Sequence, residues 1–313
     1  MRRPEQAERS EGDAPCELLA WDTEFFGLRI GRVRAARLDP QEMARVLSWA
    51  RARAVACLYL LADPGDPATA PLAEEHGFRL VDVRITLERR LGPAAPADDL
   101  TRPAEPAGRS TRPAAPAGGL IRAARQADHL IRPAEPADGP ELRRIAAASH
   151  RDSRFYYDPH FDRGRCDELY ATWIEKSCRD EAELVLVAEH AGRPAGYITC
   201  LLAPGGEGRI GLFAVDEQAQ GRGLGGRLIG EALDWFAGRG AERVSVVTQA
   251  RNLRAQRIYQ KFGMLTRAVG LWYHRWSEAG AADEGGEPAA AVRQPVAAAA
   301  ATGPSADGRA VFP

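Results

Sequence analysis

Lysine is almost missing from this sequence: only Lys176 and Lys261 occur, and the remaining basic residues are arginine. No basic block interleaves with aromatic residues and the formal net charge is −1, which argues against nucleic acid as a main partner. Cysteine is sparse too. Cys16, Cys57, Cys166, Cys178 and Cys200 form no CxxC pair and are odd in number, so neither a disulfide framework nor a zinc site is expected, and no metal. No run of about 18 apolar residues occurs, so no membrane-spanning helix is expected. The opening MRRPEQAERSEGD lacks the apolar stretch of a signal peptide. These absences leave a reduced, cytoplasmic protein as the expectation.

What is present suffices for a core, since 45% of residues are hydrophobic. The chain reads as five segments. Residues 1–15 are polar and aperiodic, a leader expected to be disordered. Residues 16–92 read as a small α/β unit. There LLAWDTEFFGLRIGRVRA suggests strand, turn and strand, and PQEMARVLSWARARA an amphipathic helix opened by Pro40. VACLYLLAD reads as a buried strand, and RLVDVRITLERRL as a strand with Val81, Val83, Ile85 and Leu87 alternating. Residues 93–129 are a Pro/Ala-rich linker of ten-residue repeats, with copies starting at Thr101, Thr111, Ile121 and Ile131. Only the last copy is expected to enter structure, Asp138 capping a helix with Leu142, Ile145 and Ala146 on its apolar face. Residues 130–277 read as the second domain, and 278–313 as a disordered tail.

The chemically informative segment is QGRGLGGR, Gln220 to Arg227, between an expected strand, GRIGLFAV, and a helix carrying Leu228, Ile229, Ala232, Leu233 and Phe236 on one face. A helix start presents N–H groups without intrahelical partners and the positive end of the helix dipole, so it attracts anions. Gly221, Gly223 and Gly225 remove side chains that would hold a phosphate away. Arg222 and Arg227 add charge. The expected ligand is a phosphate or pyrophosphate. A Walker loop needs Gly-Lys-Ser/Thr, which is missing. Gly221, Gly223 and Gly226 do satisfy GxGxxG, but the next strand ends in Thr248-Gln249-Ala250, without the acidic residue of a dinucleotide site.

The Q-x-x-G-x-G pattern between strand and helix resembles the acetyl-CoA loop of the GNAT superfamily of N-acetyltransferases. Asn252, Ala255, Tyr259 and Gly263 repeat that family's spacing after the next strand, so the resemblance covers about residues 183–276. It implies an α/β GNAT fold: a mixed, twisted sheet flanked by helices, here with an additional N-terminal α/β half-domain. It implies acetyl-CoA as cosubstrate, with Phe213, Ala214 and Val215 along its pantetheine arm. Gln220, Gly221, Arg222, Gly223, Leu224, Gly225, Gly226 and Arg227 would surround its phosphates, and Asn252 would contact it. Tyr259 would lie near the sulfur. Acyl transfer from a thioester needs a neutral amine, a polarised carbonyl and a proton for the thiolate. Thiols and phenols titrate near about 8.5 and 10, so tyrosine suits the last task. From spacing alone Tyr259 reads as a core aromatic sharing a face with Phe262; the family resemblance reverses that reading. The base stays unassigned among Glu183, Glu189, His190, His150, His160 and a water route.

Leu19–Gly27, Ser153-Arg154-Phe155, Tyr170–Glu175 and Thr248-Gln249 resemble members of this superfamily that acetylate dTDP-linked amino-dideoxy sugars. That resemblance implies a small-molecule amine acceptor, a dTDP-amino sugar, lined by Ser153, Arg154 and Tyr156, with Arg154 toward the phosphates. Packing of an aromatic-rich loop is the competing account of Tyr156 and Tyr157. Trp21, Phe25 and Phe26 read as core. Acetylation of a protein N-terminus, an antibiotic or a polyamine is the rival within enzymes, and an acetyl-CoA sensor the rival outside them. A homodimer stays open. EEHGFRLVDVRITLERR echoes QKFGMLTRAVGLWYHRW, so the first domain reads as a degenerate half-domain without the glycine loop.

Overall fold

The computed structural model describes residues 14–92, 130–203 and 205–277. The leader before Ala14, the repeat copies from Thr101, Thr111 and Ile121, and the tail after Ser277 lie outside the described residues. In chain order the strands are β1 (Cys16–Leu18), β2 (Ile30–Val33), β3 (Cys57–Ala62), β4 (Arg79–Arg90), β5 (Ile131–Pro133), β6 (Leu184–His190), β7 (Arg193–Leu202), β8 (Gly208–Val215), β9 (Arg243–Gln249) and β10 (Leu265–Trp276). The helices are α1 (Ala20–Phe26), α2 (Pro40–Ala52), α3 (Thr69–Glu75), α4 (Gly139–Ser149), α5 (Arg154–Tyr157), α6 (Arg163–Lys176), α7 (Leu224–Gly238) and α8 (Leu253–Lys261).

Packing divides the described residues into two units that do not follow the sequence boundary expected near residue 92. The first takes residues up to Arg84, then Arg154–Asp162 and the chain from Val269; the second takes Ile85–Ser153 and Arg163–Ala268. The long strands β4 and β10 therefore serve both.

In the first unit β1 pairs antiparallel with β2, β2 parallel with β3, and β3 antiparallel with Leu271–Trp276 of β10. A parallel pair needs a crossover, and α2 supplies it. The Asp39 side chain caps α2 by accepting the Glu42 N–H, and the Asp39 N–H donates the reciprocal bond to the Glu42 carboxylate in a capping box, with Pro40 in the first turn. Met43, Val46, Trp49 and Ala50 of α2 bury against Leu58, Leu60 and Ala62 of β3 and Tyr273 of β10. Each such side chain contributes about 1.5–3 kcal/mol on leaving water. Because strand side chains alternate, Tyr59 of β3 and Trp272, His274 and Trp276 of β10 face away from α2. On that face lies the segment Arg154–Asp162, with Arg154 over Tyr59 and Trp272.

Two expectations fail here. The stretch read as strand, turn and strand contains α1. Trp21 and Phe25, one helical turn apart, stack at 5.0 Å, and Gly27 ends the helix at φ 68°. Nor are Trp21, Phe25 and Phe26 core, since no residue of α1 is buried.

In the second unit β5, β6, β7 and β8 form an antiparallel run, and β8 then pairs parallel with β9. Beyond β9 comes β4. Its Leu87 is buried in this unit's core, and Leu91 N–H, just past its end, donates to the Glu242 carbonyl. On one face α7 and α8 pack against Ile198, Cys200 and Ile210. On the other α4 and α6 pack together, and α4 reaches β7 and β8. The buried residues Leu142, Ile145, Ala146, Leu169, Tyr170, Trp173 and Ile174 fall where helical spacing puts them.

The expected cap of α4 is corrected. Asp138 makes no side-chain bond to α4; a short 3₁₀ turn, Pro136–Asp138, gives it helical φ and ψ of −74° and −22°. A cap needs an extended backbone to aim its carboxylate at the first turn. Arg132 instead holds that carboxylate at two points, 2.7 and 2.8 Å, and also reaches Glu189. The hydrogen bonds from Arg132, with its charge behind them, hold the Asp138 carboxyl below the usual carboxylate range. The final segment LTRAVGLWYHRW is the single strand β10.

The second unit's sheet leaves no room at Gly208. A Cβ there would lie 2.6 Å from Phe236 Cδ1 and 2.9 Å from Val244 Cγ2, both side chains being fully buried. Gly208→Ala should therefore destabilise the protein by about 1–3 kcal/mol. A lowered urea midpoint at unchanged slope checks this; an unchanged midpoint would mean that β8 shifts freely.

Candidate active site

The sheet of the second unit opens at one place. β8 and β9 pair only over Gly208–Ile210 and Val244–Val246, although β8 continues to Val215. A register irregularity on the other side, between Ile198 and Cys200 of β7, bends β8 further, and the buried Thr199 hydroxyl accepts the Leu212 N–H at 2.7 Å. The edge of β8 from Gly211 to Val215 is thus parted from β9.

Where β8 ends, the chain makes a short turn and enters α7 through Gln220–Gly223. Gly221 and Gly223 adopt φ 77° and 83°, a left-handed backbone that costs other L-residues roughly 1–2 kcal/mol. Gly223 is the N-cap of α7 and brings no side chain to cap it. The first intrahelical acceptor is its own carbonyl, which takes the Arg227 N–H at 3.2 Å. The amides of Leu224, Gly225 and Gly226 consequently point from an uncapped helix start with the dipole's positive end behind them. A Cβ on Gly225 would come within 3.0 Å of Ile258 Cδ1 and 3.1 Å of Phe213 Cζ, so a larger residue would push these side chains back where β8, α7 and α8 meet. Arg222 is exposed and Arg227 half-buried.

Side chains around the loop are tied to it. Gln220 donates to the Val215 carbonyl at 3.1 Å and accepts a bond from Arg254. Asn252 caps α8, its Oδ1 accepting from Ala255 N–H at 3.0 Å, which leaves its Nδ2 hydrogens outside the cap. Gln256 donates to the carbonyls of Gln249 and Ala250 and fixes the end of β9. Arg254 and Gln256 escaped the sequence reading because nothing marks them beyond helical polarity. Tyr259 sits on α8 with its ring 5.9 Å from Phe213. It is only 4% exposed, and burial pushes its phenol well above the ordinary tyrosine value, so it stays protonated at neutral pH.

Of the acceptor residues, Ser153 closes the segment after α4 in the second unit, while Arg154 and Tyr156 belong to the first. All three are buried. Among the base candidates, Glu183 accepts Leu202 N–H at 2.9 Å and Glu189 pairs with Arg132 at 2.6 Å. His150 ends α4, stacks on Tyr170 at 4.5 Å and meets the Tyr197 hydroxyl at 2.9 Å. Burial lowers it to about 4. His160 Nδ1 lies 2.8 Å from Asp158 in the first unit. Asp158 and His274 were not foreseen: 116 residues separate them, yet Nδ1 and Oδ2 are 2.7 Å apart. The one sequence signal was the alternation of Trp272, His274 and Trp276 on the last strand. Among the described residues no group of acidic, His or Cys side chains has metal-holding geometry, and no helix is long and apolar enough to cross a membrane.

The model of the Acetyltransferase (GNAT) family matches residues 143–264, which carry the parted strands, the glycine turn and Tyr259. This region is a GNAT acetyltransferase domain. The chain is 31% identical to dTDP-fucosamine acetyltransferase of Escherichia coli O6:H1 over 140 residues, 44% of this chain and 59% of that protein. It is 33% identical to Mycothiol acetyltransferase of Clavibacter sepedonicus over 139 residues, 44% of this chain and 42% of that protein. The chain spans about half the length of the curated relatives it matches. Across 83% of this chain the fold is similar to a GCN5-related N-acetyltransferase from Sphaerobacter thermophilus, with TM-score 0.55, 17% identity and 76% of that chain covered.

The buried histidine of the acetyltransferase domain gives stability a pH dependence. His150 titrates at 6.5 when unfolded and at about 4 when folded, so below pH 6.5 the unfolded chain takes up a proton that the folded one refuses. Stability is thus fully present above pH 6.5 and falls as the pH drops toward 4, by up to a few kcal/mol. Urea midpoints should fall across that window and fall less in His150→Gln, which keeps a partner for Tyr197 without titrating. An equal loss in both proteins would assign it elsewhere.

Proposed function

We propose that this chain is an acetyl-CoA-dependent N-acetyltransferase acting on the amino group of a dTDP-linked 4-amino-dideoxy sugar. The observation that carries the reading is the uncapped, glycine-lined start of α7 beside the parted edge of β8, with a buried phenol across Phe213. The amides of Leu224, Gly225 and Gly226, with Arg222 and Arg227, form a donor set suited to the coenzyme's pyrophosphate. Backbone groups of Phe213, Ala214 and Val215 lie on the strand edge that an extended, amide-bearing arm can join. Gln220 contributes by holding Gly221 in place, and the Nδ2 of Asn252 remains for the coenzyme.

The neutral acceptor nitrogen attacks the acetyl carbonyl and the C–S bond breaks. The thiolate takes the Tyr259 phenol proton, and the proton shed by the nitrogen passes to solvent, from which the phenolate is reprotonated. The elevated pKa of Tyr259 keeps the phenol protonated and bars it from acting as a nucleophile. Ser153, Arg154 and Tyr156 bind the acceptor in this reading. The sugar-nucleotide acceptor is supported by the relative named for dTDP-fucosamine. A second reading, acetylation of a different small-molecule amine, is favoured by comparable identity to the relative named for mycothiol.

Free-thiol release from acetyl-CoA with a dTDP-4-amino-4,6-dideoxy sugar should be rapid, and slow with aminoglycosides, polyamines and N-terminal peptides. Tyr259→Phe should lower kcat by about 10²-fold with little change in coenzyme affinity. Turnover of another amine in preference to the sugar nucleotide would discard the sugar and keep the transfer chemistry. A Tyr259→Phe enzyme of normal rate would move the proton donor elsewhere.

A further inference from the structure

On the face of the first unit's sheet away from α2, the polar side chains are arranged around one carboxylate. Asp158 accepts from His274 Nδ1 at 2.7 Å and Trp276 Nε1 at 2.8 Å on one oxygen. The other oxygen receives His160 Nδ1 at 2.8 Å and the His160 backbone N–H at 3.1 Å. Burial alone would raise this carboxyl, but the side-chain hydrogen bonds from His274, Trp276 and His160 hold it at about 2, so it is an ionised, acceptor-only group. His274 must then place its hydrogen on Nδ1. Burial lowers its imidazole to about 4, so the ring is neutral and a lone pair stands on Nε2.

That lone pair is buried and has no partner, and it is not alone. The Tyr59 hydroxyl and Arg154 Nε are also buried without partners. The three belong to one stack: the Tyr59 and His274 rings lie 4.5 Å apart, and the Arg154 guanidinium sits 4.9 Å over Tyr59. Arg154 also lies 4.4 Å over Trp272 and 4.3 Å over Phe155. Aromatic faces attract a cation without accepting its Nε–H. Asp22 is the acidic residue near enough for the Arg154 charge to act on its carboxyl, and burial still raises that carboxyl above its ordinary value. Leaving a buried donor or acceptor unmatched costs about 1–3 kcal/mol each, and native proteins hold few such groups. Three in one stack, two donors and one acceptor, match a ligand that presents an oxyanion and a hydroxyl or amine hydrogen.

We propose that Tyr59, Arg154 and His274 form an acceptor-recognition site within the first unit. Arg154 and the Tyr59 hydroxyl donate to a phosphate-type oxyanion, and His274 Nε2 accepts a hydroxyl or amine hydrogen of the same ligand. Asp158 is a positioning residue that fixes the His274 tautomer. The proposal rests on the acetyltransferase reading for the identity of the ligand as acceptor, but not for the existence of the site.

Tyr59→Phe removes a single unpartnered oxygen and keeps both ring stacks, so the full chain carrying it should fold. The experiment measures Tm, calorimetric affinity for dTDP, and KM for the dTDP-amino sugar and for acetyl-CoA. The expected result is an unchanged or raised Tm, dTDP affinity and acceptor KM each worsened about tenfold, and acetyl-CoA KM unaltered. His274→Gln, which retains an acceptor atom, should lose less acceptor affinity than His274→Phe, which retains only the stack. A Tm change with dTDP affinity and acceptor KM untouched would overturn the site and make the orphan atoms packing or a water niche. So would a native chain that binds no dTDP. If dTDP binds and Tyr59→Phe weakens it while no amine in the panel is acetylated, this site stands and the acetyltransfer reading fails.

Discussion

Everything proposed for the coenzyme rests on a backbone that only glycine tolerates. With Gly221 and Gly223 at left-handed φ, the chain turns sharply off β8 and enters α7 without a capping side chain. An ordinary N-cap would satisfy one of the first-turn amides and leave less for an anion. The neighbouring helix α8 shows the contrast, since Asn252 caps it conventionally. Two helices thus start within one unit under opposite rules, and the difference lies in the residue at one position. Gln220 adds the constraint from outside by binding the Val215 carbonyl and accepting from Arg254.

The element order strand, helix, strand, helix, long strand occurs twice: β2, α2, β3, α3, β4 and β8, α7, β9, α8, β10. In each run the last strand is 12 residues long and contributes to both units. β10 completes the first unit's sheet beside β3, and the later half of β4 joins the second unit's core. The first run has an ordinary capping box at Asp39 where the second has its bare glycine turn. There the cap already takes the Glu42 amide and Pro40 has none to offer, so fewer first-turn amides remain for an anion.

The glycine turn, α7, β9 and α8 were legible in the sequence because local rules fix them: periodicity, positive-φ glycines and an Asn cap. α1 was not, because its three aromatics fit strand composition as well as helical spacing, and its outcome depends on Phe26 packing with Phe155 and Phe161. Asp138 looked like a cap until Arg132, six residues earlier, claimed its carboxylate. That competition was invisible in a motif that looks only forward from the cap. Arg154 was readable as a residue but not as a caged one, since Tyr59 and Trp272 reach it only through the pairing of β3 with β10. Pairing at a distance decides this face, and no window of sequence contains it.

Several polar groups of the second unit are matched closely. Arg132 bonds two carboxylates and a carbonyl, Glu183 takes a backbone amide, and Thr199 repairs the irregular strand. Unmatched groups gather in two places. One set is backbone N–H at the head of α7; the other is Tyr59 OH, Arg154 Nε and His274 Nε2, three atoms of one stack, whereas others such as Trp49 Nε1 and Glu181 Oε2 are scattered. The two arise differently, the first from what glycine permits, and the lone pair of His274 in the second from Asp158. A carboxylate with all its acceptor positions filled cannot take another donor, so each histidine it holds must point its remaining nitrogen elsewhere. For His160, half exposed, that nitrogen can meet water. For His274, 1% exposed, it cannot, and the same bond that stabilises Asp158 creates the vacancy on Nε2. A structure that spends four hydrogen bonds on one buried carboxylate while leaving its partner's lone pair unmatched is arranged to receive a donor from outside the protein.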